Sequence, residues 1–196
     1  MRHFIYGILI SVMLTFSGCS ALQTALSGAY NLANCDYKYQ SISNISIMDL
    51  NLANGLSPLM VPAVLTILNG NASSIPLNFT LNIDVKNPNS GAAAFQTMGY
   101  IISIDDIQFT TGSLNQAFHV DAGQSKTLPM NIGFDVAELI KNNSRTAVVN
   151  VLKNFLGLSD QASSVTVQLK PSFKVGEQIF TSPVYIPVGF TFGGKK

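Results

Sequence analysis

The sequence predicts a mainly β chain, an antiparallel β-sandwich with two or three short helices. Three observations carry that prediction. Leu77-Asn78-Phe79-Thr80-Leu81-Asn82-Ile83-Asp84-Val85 alternates without a fault, so five apolar side chains share one sheet face and the polar ones share the other. Several further runs alternate in the same way and are separated by Asn, Asp, Gly and Pro, which gives six or seven strands. Finally, 47% of residues are hydrophobic, only 11% are charged and the mean hydropathy is +0.31, a composition that a disordered chain does not have.

The length of 196 residues suits one domain better than two. The formal net charge of +1 excludes the dense positive potential that holds nucleic acid. At the start, Arg2 and His3 precede an apolar run from Phe4 to Phe16, too short to span a bilayer and sized for an export signal. The run ends in Phe16-Ser17-Gly18-Cys19-Ser20, which resembles the lipobox of bacterial lipoproteins, with Phe16 where Leu is usual. That resemblance implies a signal peptide over 1–18 and a diacylated Cys19 as the mature N-terminus. Cys19-Ser20-Ala21 also fits ordinary secretory cleavage at small residues. Loss of Arg2 leaves the body neutral, which suits attachment by acyl chains. Ser20, in place of Asp, directs such a lipoprotein to the outer membrane, with the side it faces left open. Cys35 reads as a small buried residue, with a reactive thiol as the alternative.

Residues 19–36 read as a tether, with Leu22, Ala25, Leu26, Ala29 and Leu32 at helical spacing, and the domain is expected over 37–196. From Tyr39 to Leu52 the apolar parity changes, from Ile45 and Ile47 to Met48, Leu50 and Leu52, as a bulged strand requires. Leu56, Leu59, Met60, Ala63, Val64, Ile67 and Leu68 make a short amphipathic helix stopped by Asn69-Gly70. Its start is set by Ser57-Pro58 or by Pro62, and its apolar face packs on a sheet end or contacts lipid or a partner. After the Leu77–Val85 strand, Asn87-Pro88-Asn89 turns the chain. Tyr100, Ile102 and Ile104 then alternate, the phase slips at Asp105-Asp106, and Ile107 and Phe109 resume. Leu114, Phe118 and Val120 form an inward set. Leu128, Met130, Ile132, Phe134 and Val136 read as the next strand, and Ala137 to Leu156 as helix ended by Gly157. Two last strands carry Val165, Val167 and Leu169, then Val184, Ile186, Val188, Phe190 and Phe192.

The stretch from Leu77 to Val136 resembles the group 2 late embryogenesis abundant family, also called the water stress and hypersensitive response domain. The carriers are the alternating strand ending in Asn87-Pro88-Asn89, the Tyr100-Ile101-Ile102-Ser103-Ile104 strand, Ile107 and Phe109 before Gly112, and Leu128-Pro129-Met130. The resemblance covers about a third of the chain. It implies a fibronectin type III-like or immunoglobulin-like sandwich and no catalytic residues. Asp105-Asp106 stands where the family often has a glycine turn.

Catalytic chemistry has few residues to work with. Behind the signal, His119 is the single histidine, on the outward parity of its strand beside Asp121, with no nucleophile elbow in the sequence. Asp105-Asp106 is a solvated turn rather than an acid–base pair, and the spacing of a calcium loop is absent. No CxxC, Cys/His cluster or phosphate-cradling glycine loop occurs. The expectation is therefore a lipid-anchored envelope protein that is not an enzyme and needs no cofactor or metal. It acts as a non-catalytic binding or assembly module, or else as a carrier of lipid or another apolar ligand, or as a stress protector. Its partners are the membrane, through Cys19, and an envelope protein, with no ligand-binding residues assigned.

Overall fold

Strand β3 (Pro76–Lys86) is the hinge of the architecture, because its alternation leaves Leu77, Phe79, Leu81, Ile83 and Val85 all nearly solvent-free on one face. In the computed structural model, which describes residues 27–52, 56–175 and 177–193, β3 pairs antiparallel with β1 (Asp36–Ile47) on one side and β8 (Ser125–Asp135) on the other. The two-residue β2 (Leu50–Asn51) folds back on β1 and completes a sheet of order β2-β1-β3-β8. Segment 1–18, Cys19 and the tether up to 26 lie outside the described residues.

The opposing sheet is built on the long β9 (Ala162–Val175). On one edge it pairs with β5 (Thr97–Ile104), which pairs in turn with β6 (Ile107–Leu114). Its other edge is shared by β10 (Gln178–Thr181) and β11 (Ile186–Gly193). Between the sheets β4 (Ala93–Phe95) and β7 (Phe118–Val120) make a small pair of their own. The pairings are antiparallel throughout, and Met98, Tyr100, Ile102, Ile104, Val165, Val167 and Leu169 meet the β3 and β8 side chains in one core. The fold is the expected β-sandwich.

Two local features follow the sequence closely. The parity change in β1 is resolved by irregularities after Tyr39 and after Ser43, where Asn44 takes a positive φ of 53°. Asp105 and Asp106 form the two-residue turn of the β5–β6 hairpin with φ of 47° and 65°, the left-handed conformation that such turns require. Asp105 also accepts from the Ser163 hydroxyl at 2.9 Å and the Ser164 N–H at 2.7 Å, which ties the hairpin to β9.

Other expectations are corrected. The chain from 27 to 33 is helical (α1), and Leu32 is fully buried. Asn31 donates to the Ala92 carbonyl at 3.0 Å and Tyr37 donates to the Leu32 carbonyl at 2.7 Å. Residues 27–36 thus belong to the body rather than to a tether, since a buried leucine and paired amides are what a domain provides. The amphipathic helix, α2 (Val61–Asn69), begins at Val61 with Pro62 in its first turn, and Ser57-Pro58 stands before it in a turn. The helix expected over 137–156 is two helices, α3 (Val136–Asn142) and α4 (Arg145–Phe155). The break falls where the Asn142 and Asn143 amides donate back to the Glu138 and Leu139 carbonyls at 3.1 and 3.0 Å, replacing the helical N–H donors with side chains. Leu114 and Phe118 face inward as expected but sit on separate strands. Strand β10 had no sequence signal because all four of its residues are exposed.

Asp135 joins β8 to α3. Its carboxylate accepts from the N–H groups of Ala137 and Ile75, both at 2.8 Å, and from the Ser74 hydroxyl at 2.6 Å. Those bonds, the Ser74 hydroxyl first, hold its pKa below the ordinary carboxylate value. Asp135→Ala is expected to cost about 1–2 kcal/mol in urea unfolding, the range for a lost helix N-cap. The stabilisation is fully present above the unfolded-state pKa of about 3.9 and is lost as pH falls through the lower folded value. An unchanged acid limb in the alanine variant would contradict this assignment.

Candidate functional site

Strands β1 and β11 run side by side on one flank of the sandwich, one from each sheet, and they are not joined by a ladder. The flank is closed by rings instead. Tyr39 of β1 stacks on Phe190 of β11 at 4.3 Å between centroids, and its edge meets Phe192 at 6.2 Å. Phe192 packs on Phe155, at the end of α4, at 5.0 Å, and Phe155 on Phe79 at 5.2 Å. Where this row of rings stops, a groove of about 590 Å³ opens, lined by Tyr39, Ile45, Leu52, Leu56, Phe155 and Phe192 among others. Its volume lies in the range of small-ligand sites, and its walls are chiefly apolar. Burial pushes the Tyr39 phenol above its ordinary pKa, against the opposing effect of its bond to the Ile42 backbone.

One rim is fixed by backbone. Gly193 has φ +81°, and a Cβ there would lie 2.1 Å from the Asn154 carbonyl oxygen, so any side chain would collide with the end of α4. On the other rim Leu52 is buried and donates its N–H to the Ile45 carbonyl at 2.7 Å, which turns the chain toward α2. The groove lies beside this approach and not under α2, whose Val64 and Leu68 are fully buried against the domain.

The family model described as late embryogenesis abundant protein matches residues 82–188, more than half of the chain. The chain belongs to the late embryogenesis abundant protein family. No curated protein sequence matches it. Among solved structures, a protein from Archaeoglobus fulgidus is similar at 12% identity, with 81% of this chain and 99% of that chain covered and a TM-score of 0.40. The solution structure of an Arabidopsis thaliana protein is similar at 11% identity, covering 81% and 83% with a TM-score of 0.43. A further solution structure, of a candidate late embryogenesis abundant protein, shares 12% identity over 93% and 86% at a TM-score of 0.33.

In this late embryogenesis abundant protein the residues singled out from sequence do not converge. His119 is exposed and its Nε2 lies 2.8 Å from the equally exposed Asp121 carboxylate. Asp105 and Asp106 sit in the β5–β6 turn at the opposite end of the sandwich from His119. Cys35 is a buried free thiol that donates to the Asn31 carbonyl at 3.3 Å. Burial first, and the Asp36 carboxylate second, push its pKa up to about 11, so the thiolate needed for reaction is scarce at neutral pH. Among the described residues no cluster of three His, Cys, Asp or Glu side chains is placed to hold a metal. Cys19 lies outside the described residues.

A second concavity of about 280 Å³, on the outer face of the β1-β3-β8 sheet, is lined by Asp36, Lys38, Asp84, Lys86 and Lys126. Its charges alternate in sign and its Asp84 already accepts from Thr127 at 2.9 Å, so it selects for no ligand charge. Sequence reasoning missed the apolar groove. Its lining comes from β1, the approach to α2, α4 and β11, and no local spacing announces a site assembled from four distant segments.

Proposed function

We propose that this late embryogenesis abundant protein is a non-catalytic, lipid-anchored protein of the bacterial cell envelope that carries an apolar ligand in the groove between β1 and β11. The observation that supports carriage is the groove itself: aromatic and aliphatic walls and a volume of about 590 Å³. The support for the anchor is the Phe16-Ser17-Gly18-Cys19 segment. Outer-membrane attachment through acylated Cys19 needs no basic patch on the body. Membership of the late embryogenesis abundant family supports a stress-related role beside this carriage.

The test is binding of the fluorescent fatty acid cis-parinaric acid to protein purified from its own membranes. Saturable binding is expected, and Leu56→Arg should weaken it by at least about tenfold by placing a charge in an apolar wall. Leu56 is half-buried at the rim, so the variant should melt close to the parent. No saturable binding by the parent protein would overturn carriage and leave the protein-binding assembly module as the reading. Palmitate incorporation, lost in Cys19→Ser, tests the anchor separately.

A further inference from the structure

Of the seven large apolar side chains exposed among the described residues, five stand at one end of the sandwich: Tyr30, Ile179, Phe180, Val184 and Tyr185. The pairing register places them there. Gly28 of α1 lies against Ala94, and Asn31 bonds to Ala92, just before β5 begins at Thr97. Thr97 is opposite Ser172 of β9, Ser172 is opposite Thr181 of β10, and Leu169 is opposite Ile186, which follows Val184 and Tyr185. The other two, Met48 and Leu59, belong to the β1–β2 turn and the approach to α2, at the far end.

These side chains are held outward. Phe180 stacks on Phe173 at 5.7 Å, across the β9–β10 pair, and neither ring reaches the core. Ile179 is 68% exposed and Val184 is 60% exposed, which is unfavourable in water with nothing to gain from it in the free domain. Lys170 lies 5.0 Å over the Tyr185 ring, so a cation and an amphipathic ring are presented together with the aliphatic residues, the mixture found at a membrane–water interface. Charge follows the same axis. By the same register Lys38, Lys86, Lys126, Lys170 and Lys174 lie toward this end and slightly outnumber its acids, Asp36, Asp84, Asp121 and Glu177. Toward the other end, among the described residues, Asp49, Asp105, Asp106, Asp135, Glu138 and Asp160 outnumber Lys141, Arg145 and Lys153. Anionic headgroups therefore favour the apolar end over its opposite.

The chain itself names the occupant. It enters the fold at this same end, and seven residues stand between Cys19 and Ser27, a reach of at most roughly 28 Å when fully extended. We propose that β10, with Val184, Tyr185 and Tyr30, seats in the headgroup region of the bilayer that holds the acylated Cys19, so that the sandwich stands end-on to the membrane. This rests on the lipid-anchor reading. The anchor supplies attachment, and the apolar end supplies orientation, holding Met48, Leu59 and the acidic end away from the surface.

The experiment uses the full chain, purified from its own membranes and reconstituted in vesicles of phosphatidylethanolamine and phosphatidylglycerol with a doxyl-labelled lipid. An environment-sensitive fluorophore is attached at Ile179→Cys, Val184→Cys or Leu59→Cys in a Cys35→Ala background, and palmitate incorporation is measured on the same preparations. All three positions are exposed, so labelling does not disturb the core. The expected result is a blue shift and strong quenching at 179 and 184, with neither at 59. Palmitate incorporation without quenching at 179 and 184 would overturn the seating and leave the anchor standing. Equal quenching at 59 would overturn the end-on orientation. No palmitate incorporation would overturn the anchor and the proposal together.

Discussion

Asn87→Ala is expected to lower the stability of the domain by about 3 kcal/mol, from the loss of several buried and part-buried hydrogen bonds at once. Asn87 is fully buried immediately after β3. Its amide nitrogen donates to the Gly91 carbonyl at 2.9 Å and the Val120 carbonyl at 3.0 Å, with the Asp121 carbonyl at 3.2 Å. Its carbonyl accepts from the Asn89 backbone N–H at 3.1 Å and the Asn89 side-chain amide at 2.8 Å. Asn89 in turn donates to the Asn31 carbonyl at 2.9 Å, so one side chain joins β3, the β7 end and α1. Alanine would leave the buried Val120 carbonyl without its donor and break the part-buried bonds to Gly91, Asp121 and Asn89 as well. For a chain of this length the loss corresponds to a fall of roughly 6–12 °C in melting temperature. Asn87→Asp should be no better, because a carboxylate would face the Val120 and Gly91 oxygens that the amide now satisfies. A melting temperature within a degree or two of the parent for both variants would refute the assignment.

Phe155→Ala is expected to cost about 3–5 kcal/mol in urea unfolding. The ring is 2% exposed and bridges Phe79, in the core of one sheet, and Phe192, on an edge of the other. Truncation removes two aromatic contacts and opens the floor of the groove into the core, since its neighbours are held by β3 and β11 and cannot collapse into the space. Phe155→Leu fills much of that volume and should cost clearly less. Equal losses for the two variants would mean that the ring geometry, and not the filled volume, carries the stabilisation.

Much of this fold is written in local patterns. The alternation of Leu77 to Val85, the paired aspartates at 105 and 106 and the outward parity of His119 each depend on near neighbours, and each is realised in the structure. What escaped the sequence depends on partners far along the chain. Leu22, Ala25, Leu26, Ala29 and Leu32 have helical spacing, but only the contact of Asn31 with Ala92 makes Leu32 a core residue. The break between α3 and α4 is carried by amides that compete with the backbone, a signal weaker than the apolar period that runs across it. Strand β10 buries nothing, and so has no period to read. The groove is the extreme case: Ile45, Leu56, Phe155 and Phe192 each look like ordinary core residues until the topology sets them around one space.

The knot of bonds around α1 also fixes how the domain answers a pull. Tension arriving through the residues before Ser27 meets the Asn31–Ala92, Asn89–Asn31 and Tyr37–Leu32 hydrogen bonds before it reaches the β1–β3 ladder. Those few bonds are expected to act as a fuse, giving way as α1 peels off before the many rungs of the ladder behind them are loaded. The expected first event under load is a small yielding that uncovers Cys35 while the sandwich keeps its shape, which thiol labelling of the stretched chain would read.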